Sequence, residues 1–230
     1  MSPQNSLPVI AVTGLAFEAR IAAGHGVVTI CGNRPDQLAD AIARGCRGII
    51  SFGIAGGLAS HMKPGACIVA RSVVARGDRF DSHPEWSRRL LQAIPGSVHA
   101  DIAGATAPVA TPADKRGIAR LTGAVAVDME SYHSVRAAVA HGLPFAAVRV
   151  VADPSHRALP PAALGAVRAD GTPDLSAVLR SIVARPSQIS ALIQIALDTH
   201  TARAALVRAR RLLGPGLNLV GIAEAMTPAE

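Results

Sequence analysis

From Val9 onwards the chain alternates short apolar runs with amphipathic or turn-rich stretches. That rhythm belongs to an α/β domain, in which buried strands are covered by helices. Val9–Thr13 predicts a buried strand, and Gly14 opens the turn into a helix near Phe17–Ala23. Gly26–Cys31 predicts a second strand, and Pro35–Arg44 a helix with Gly45 beyond its end, the place where a left-handed residue closes a helix. Arg47–Phe52 predicts a third strand, running into a turn at Gly53-Ile54-Ala55-Gly56-Gly57. Strands follow over Ala66–Ala75, Val98–Ala103, Ala124–Val127 and Phe145–Ala152, with helices over Trp86–Ile94, Asp114–Leu121 and Glu130–His141. Phe145–Ala152 lacks polar alternation, as a strand buried on both faces does. After Asp153 the pattern changes. The stretch 155–173 is loop-rich, and Leu175–Ala184 and Gln188–Leu213 predict helices. Neither a repeat nor a linker interrupts the chain. The expectation is one α/β domain over residues 1–230, a central mixed sheet flanked by helices, with a helical part from about residue 175.

Composition narrows the picture. Half the residues are apolar but only 3% are aromatic, so the core must be built from Ala, Val, Ile and Leu. No apolar run approaches the roughly 18 residues that would span a bilayer. Met1–Pro8 lacks the basic and apolar segments of a signal peptide, so the expected compartment is the cytoplasm. Cys31, Cys46 and Cys67 have no CxxC spacing, and the histidines form no HxxxH pair, which argues against a disulfide framework and a metal site. A net charge of +7 raises nucleic acid as a partner. The arginines are mostly spread singly, however, and aromatics to stack on bases are scarce, so nucleic-acid binding is not expected. Only Arg203, Arg208, Arg210 and Arg211 group together, at the end of the long last helix. A basic amphipathic helix can rest on an anionic membrane, against the simpler reading of a helix packed on the sheet with a solvated basic end.

Four turns, Gly14–Glu18, Gly53–Gly57, Asp128-Met129-Glu130 and Asp153, all follow predicted strands. Ligands of α/β sheets gather at the carboxyl ends of strands, so these turns are placed to face one pocket. Each also has a plain structural reading. Glycines supply positive φ in a tight turn. Asp128 can cap the next helix while Glu130 favours its N-terminal dipole. Asp153-Pro154 is a common turn former. The convergence of acidic turns at strand ends is what these readings leave unexplained.

Ala126-Val127-Asp128-Met129-Glu130-Ser131, followed by Pro144-Phe145-Ala146-Ala147-Val148-Arg149-Val150-Val151-Ala152-Asp153, resembles the signature of the nucleoside phosphorylase superfamily. Gly53–Leu58 and Lys63-Pro64-Gly65 match methylthioadenosine/S-adenosylhomocysteine nucleosidases in order and spacing. The resemblance spans about Val9 to Asp153. The whole sequence is most similar to the hopanoid-associated phosphorylases, which act on adenosylhopane.

That resemblance implies cleavage of the N-glycosidic bond of a purine nucleoside, with release of adenine. Adenine anion is a poor leaving group, so an acid must protonate N7, and burial helps a carboxyl hold that proton. By resemblance Asp153 is this acid. Glu130 takes the ribose hydroxyls, and Met129 packs on the sugar. Asp128, Val127, Gly56 and Ala55 join the substrate-binding set, as does Val109 in the purine-contacting segment. Glu18 is the nearest match to the carboxylate that orients water in the nucleosidases. In the phosphorylases, arginines and a serine hold phosphate instead; here Ser51 and Ile54 stand at those loop positions, and Arg20 is the remaining cation. The reading is hydrolysis of adenosylhopane, with two alternatives, phosphorolysis with phosphate as co-substrate or a methylthioadenosine/S-adenosylhomocysteine nucleosidase, and no other cofactor. Relatives imply a homo-oligomer, and the adenosylhopane reading brings a lipid-tailed substrate with weak peripheral membrane contact. A nucleotide-binding module would need the glycine turns but not Asp153 and Glu130 together.

Overall fold

A computed structural model describes residues 7–219, apart from 33, 165–167, 169, 170 and 173. The strands are β1 (Val9–Thr13), β2 (Val27–Cys31), β3 (Gly48–Gly57), β4 (Cys67–Ala75), β5 (Asp78–Asp81), β6 (Val98–Gly104), β7 (Ala126–Asp128) and β8 (Phe145–Asp153). The helices are α1 (Ala16–Ala22), α2 (Pro35–Ala43), α3 (Pro84–Ala93), α4 (Pro112–Thr122), α5 (Ser131–Ala140), α6 (Pro161–Leu164), α7 (Leu175–Ala184) and α8 (Ile189–Leu213). Strand pairing runs β2-β1-β3-β7-β6-β4-β5, and β8 joins β3 to β4. Strands β3, β8, β4, β6 and β7 therefore close into a ring, with β1 and β2 as a parallel wing on β3 and β5 as an antiparallel edge on β4. Closure removes open edges from the centre of a sheet. The expected mixed sheet is present, rolled into a barrel.

Side chains of the ring split the core in two. Phe52, Val69, Val148 and Val150 face a layer formed by α3 and α8, where Trp86, Leu90, Ala202 and Leu206 are buried. Ile49, Ile68, Ala147 and Val151 face the other side, with Tyr132, Val135 and Ala138 of α5. Both faces of β8 are thus covered, as its unbroken apolar run predicts. The second half of α8 packs through Ala202, Ala205, Leu206, Ala209 and Leu213, while its first half leaves Ile189, Ile193 and Leu197 exposed.

One expectation is corrected. Gly53–Gly57 is not a turn: β3 continues through it, and none of Gly53, Gly56 and Gly57 has positive φ. Their role is close approach. A Cβ at Gly53 would lie 2.6 Å from Glu18 Oε1 and 2.7 Å from Arg149 Nη1, and one at Gly56 would lie 3.2 Å from Asp153 Oδ1. The bare backbone of β3 is the floor on which charged side chains from α1 and β8 rest.

Candidate active site

The carboxyl ends of β1, β3, β7 and β8 open into one cavity of about 910 Å³. Glu18, Ala55, Gly56, Val109, Val127, Asp128, Met129, Glu130 and Asp153 all line it. Every residue expected at the site from the sequence is therefore brought to one place. Arg20 is not: it lies exposed on α1 and does not line the cavity.

Glu18 is 1% exposed. Its Oε2 accepts hydrogen bonds from the N–H groups of Gly14 and Leu15, each at 2.8 Å, and its Oε1 accepts one from Ile54 at 2.7 Å. The short β1–α1 turn supplies two of those donors and β3 the third, so the carboxyl is fixed in direction by backbone alone. Burial pushes Glu18 up to about 7, against the Arg149 charge and the N–H donors and with the help of neighbouring Glu130. A carboxyl at that value exchanges its proton near neutrality, as a catalytic base or acid must.

Arg149 is the guanidinium that the turn positions lack. It is fully buried in β8, with Nε 2.5 Å from Asp128 Oδ2 and Nη2 3.2 Å from Glu130 Oε2. It also donates to Ser51 Oγ and, at 3.3 Å, to the Ile54 carbonyl. Ser51 Oγ is in turn hydrogen-bonded to Ser131 Oγ at 2.9 Å. Asp128 does cap α5, accepting from Ser131 N at 3.0 Å, while its other oxygen faces Arg149 and Ser131. Asp128 thus takes the first N–H of α5, as a capping carboxylate would, and pairs with Arg149 as well. Glu130 lies against Gly14, where a Cβ would sit 2.5 Å from Oε1. Burial raises Glu130 above the ordinary carboxylate range, with Arg149 opposing it.

Asp153 ends β8 on the other side of Gly56. Its Oδ2 is held by Lys115 Nζ of α4. Burial raises its pKa above the ordinary carboxylate value, and Lys115 opposes that rise. Gly53 lies against Glu18 and Gly56 against Asp153, so β3 carries the two carboxyls at separate points of the cavity floor.

Sequence reasoning missed Arg149 and Lys115. Arg149 had a signal, being the one charge in the otherwise apolar stretch Phe145–Ala152, and a buried charge is almost always paired. Lys115 had none, because Asp114-Lys115-Arg116 reads as a solvated helix face.

A comparison with protein families matches residues 20–184, more than two thirds of the chain, to the phosphorylase superfamily. The chain belongs to that superfamily. It is accordingly an enzyme, and its fold recurs in solved structures. Futalosine hydrolase of Helicobacter pylori is similar with a TM-score of 0.63 at 11% identity, over 90% of this chain and 97% of that one. The 5'-methylthioadenosine/S-adenosylhomocysteine nucleosidase of the same organism gives 0.63 at 13% identity, over 90% and 98%. S-adenosylhomocysteine nucleosidase from Streptococcus pyogenes gives 0.59 at 16% identity, over 86% and 99%. No curated protein matches the sequence. The superfamily match runs from within α1 to the end of α7, so it contains the cavity-lining ends of β3, β7 and β8.

Proposed function

We propose that the enzyme hydrolyses the N-glycosidic bond of an adenine nucleoside carrying a large apolar group at its 5′ position, adenosylhopane being the intended substrate. The observation that carries the reading is the pairing, across one cavity, of the largely buried carboxyl of Asp153, whose pKa burial raises, with the buried Glu18–Arg149–Glu130 cluster. Bond cleavage gives the sugar oxocarbenium character and leaves charge on the base. Asp153 protonates the base at N7 as the bond stretches. Glu130 accepts the 2′- and 3′-hydroxyl hydrogens, a bidentate task suited to a carboxylate. Met129, 39% exposed at the cavity wall, packs on the sugar. Glu18 orients and deprotonates the attacking water.

Water rather than phosphate is supported by charge. Arg149 is the guanidinium beneath the sugar position, and Asp128, Glu130, Ser51 and the Ile54 carbonyl already engage it. Three carboxylates face that one cation. A phosphate dianion placed there would be repelled and would find no free fork of donors.

The 5′ group is supported by the shape of the cavity. Its volume stands near the top of the ~300–1,000 Å³ range of ligand pockets, more than a nucleoside fills. The excess is walled by Ile30, Leu38, Ile42, Ala137, Leu159 and Leu164, from β2, α2, α5, the loop after β8 and α6. Adenine release from adenosylhopane, methylthioadenosine and adenosine, measured side by side, tests this. Adenosylhopane is expected to have the highest kcat/KM. Ala137→Phe, which narrows the apolar arm, is expected to lower that value by about 10-fold or more and to leave adenosine unchanged; a methylene-sized misfit alone is worth ~10–200-fold. Equal use of all three substrates overturns the lipid-tail reading.

A lipid-tailed substrate must be collected from a membrane, and α8 supports such contact. Ile189, Ile193, Leu197, Arg208 and Arg211 are exposed and fall within about 100° of one another on the helix. Arg210 does not belong to that face; it donates to the carbonyls of Ala22 and Gly214 within the fold. No helix among the described residues is long and apolar enough to cross a membrane. Co-sedimentation with phosphatidylglycerol vesicles at low salt is expected, and Arg208→Gln with Arg211→Gln should abolish most of it. Absence of binding at low salt removes the peripheral reading.

A further inference from the structure

Lys115 is 0% exposed, although it lies in a helix segment of charged residues. All three of its ammonium hydrogens are used: one on Asp153 Oδ2, one on the Pro154 carbonyl at 3.0 Å and one on the Arg157 carbonyl at 3.1 Å. Helix α4 is fixed to deliver it there. Thr111 caps the helix by accepting from Asp114 N at 3.1 Å, Pro112 opens it, and Gly123 closes it at φ 69°. Burying an ammonium costs several kcal/mol that pairing must offset. A neutral side chain could tie the 154–157 turn to α4 without that penalty, so the charge needs its own reason.

Resting on the hydrolytic reading above, we propose that Lys115 is a positioning residue for Asp153: it holds Oδ2 and the following turn, leaves Oδ1 alone to face the leaving base, and stabilises the carboxylate that proton transfer creates. The chemistry balances. The O–H bond on Oδ1 breaks as the N–H bond on the base forms, the glycosidic electron pair stays with the base, and Asp153 is left as an anion beside a cation already in place. Such a preset counter-charge needs no reorganisation at the moment of reaction. Other charges around Asp153 do not supply it. Asp198 of α8 is itself an anion and is ion-paired to Arg157 at 3.1 Å. Across the cavity Asp128 and Glu130 are engaged with Arg149, and the β3 side offers only the Gly56 backbone.

The test begins with a readout that needs no turnover. In protein carrying ¹³C-carboxyl aspartate, the Asp153 resonance is assigned by its loss in Asp153→Asn and titrated in wild type, Lys115→Met and Lys115→Arg. The proposal expects the midpoint to move to higher pH in Lys115→Met and to return toward the wild-type value in Lys115→Arg. An unmoved midpoint in Lys115→Met overturns it. Adenine release then gives the catalytic half. Lys115→Met is expected to lose about 10-fold or more of kcat/KM, within the range that an acid catalyst supplies. In an Asp153→Asn background the same change should cost almost nothing, because Lys115 acts through Asp153. An equal loss in both backgrounds assigns Lys115 to the fold and overturns the proposal. If Lys115→Met does not fold, Lys115→Gln enters the same cycle with one carbonyl contact retained. Failure of the functional reading looks different: the wild-type enzyme then releases no adenine while the resonance still responds to Lys115.

Discussion

Replacing Asp153 by Asn is expected to lower kcat/KM for adenine release by about two to four orders of magnitude, the usual span of general acid catalysis. The substitution keeps shape and removes only the transferable proton. The amide oxygen can still accept from Lys115, which also retains the Pro154 and Arg157 carbonyls, so the 154–157 turn stays tied to α4. The ammonium does lose its counter-charge, and a lower melting temperature is expected alongside the lost rate. Folding and catalysis are separated by a second substrate. A p-nitrophenyl riboside has a leaving group that departs as a stable anion without protonation, and Asp153→Asn should hydrolyse it at close to the wild-type rate. Loss of both activities would show a damaged site; retention of adenine release would remove Asp153 as the acid.

The separation between what the sequence reveals and what it hides follows from how each residue meets its neighbours. Strands β1 and β8 are legible because buried strands must be apolar along their whole length, and α7 matches its predicted limits at both ends. Closure of the ring is not legible. It depends on one edge of β3 passing from β1 to β7 at Gly56-Gly57 while β8 stays on the other edge, a pairing between segments some 70 residues apart. The same two glycines predict a turn from sequence because glycine signals both a bend and a close approach, and sequence alone does not separate the two. β5, four residues with little burial, carries no periodic signal at all. At the site, Asp128, Glu130 and Asp153 stand out as acids interrupting apolar strand ends. Their partners come from elsewhere in the chain: Lys115 reaches Asp153 from 38 residues away, and Ser51 meets Arg149 across two neighbouring strands, 98 residues apart. A lysine's burial is set by where its helix docks, which no local pattern records.

Glu18→Gln is expected to collapse hydrolysis by about two to four orders of magnitude, as removal of a positioned base does. The carboxamide can still accept from one side, but its NH₂ must face either the Ile54 N–H or the pair from Gly14 and Leu15, so the fixed direction of the side chain is lost as well. Dependence on pH identifies the role. On the proposed mechanism Glu18 acts as the carboxylate, and burial pushes its pKa up to about 7. Below that pH the charged form disappears, so on p-nitrophenyl riboside, where Asp153 is not needed, the rate should fall about tenfold per pH unit below neutrality and level off above it. The limb should vanish in Glu18→Gln. Phosphate supplies the deciding control. Enzyme dialysed free of phosphate should release adenine at the full rate and give the free sugar, because the carboxylates of Glu18, Asp128 and Glu130 around Arg149 would repel a dianion beside it. A rate that rises with added phosphate and yields a sugar 1-phosphate would overturn hydrolysis. It would also require the guanidinium of Arg149 to be released from Asp128 and Glu130 during turnover, and Glu130→Gln would then strengthen phosphate dependence rather than simply weaken ribose binding.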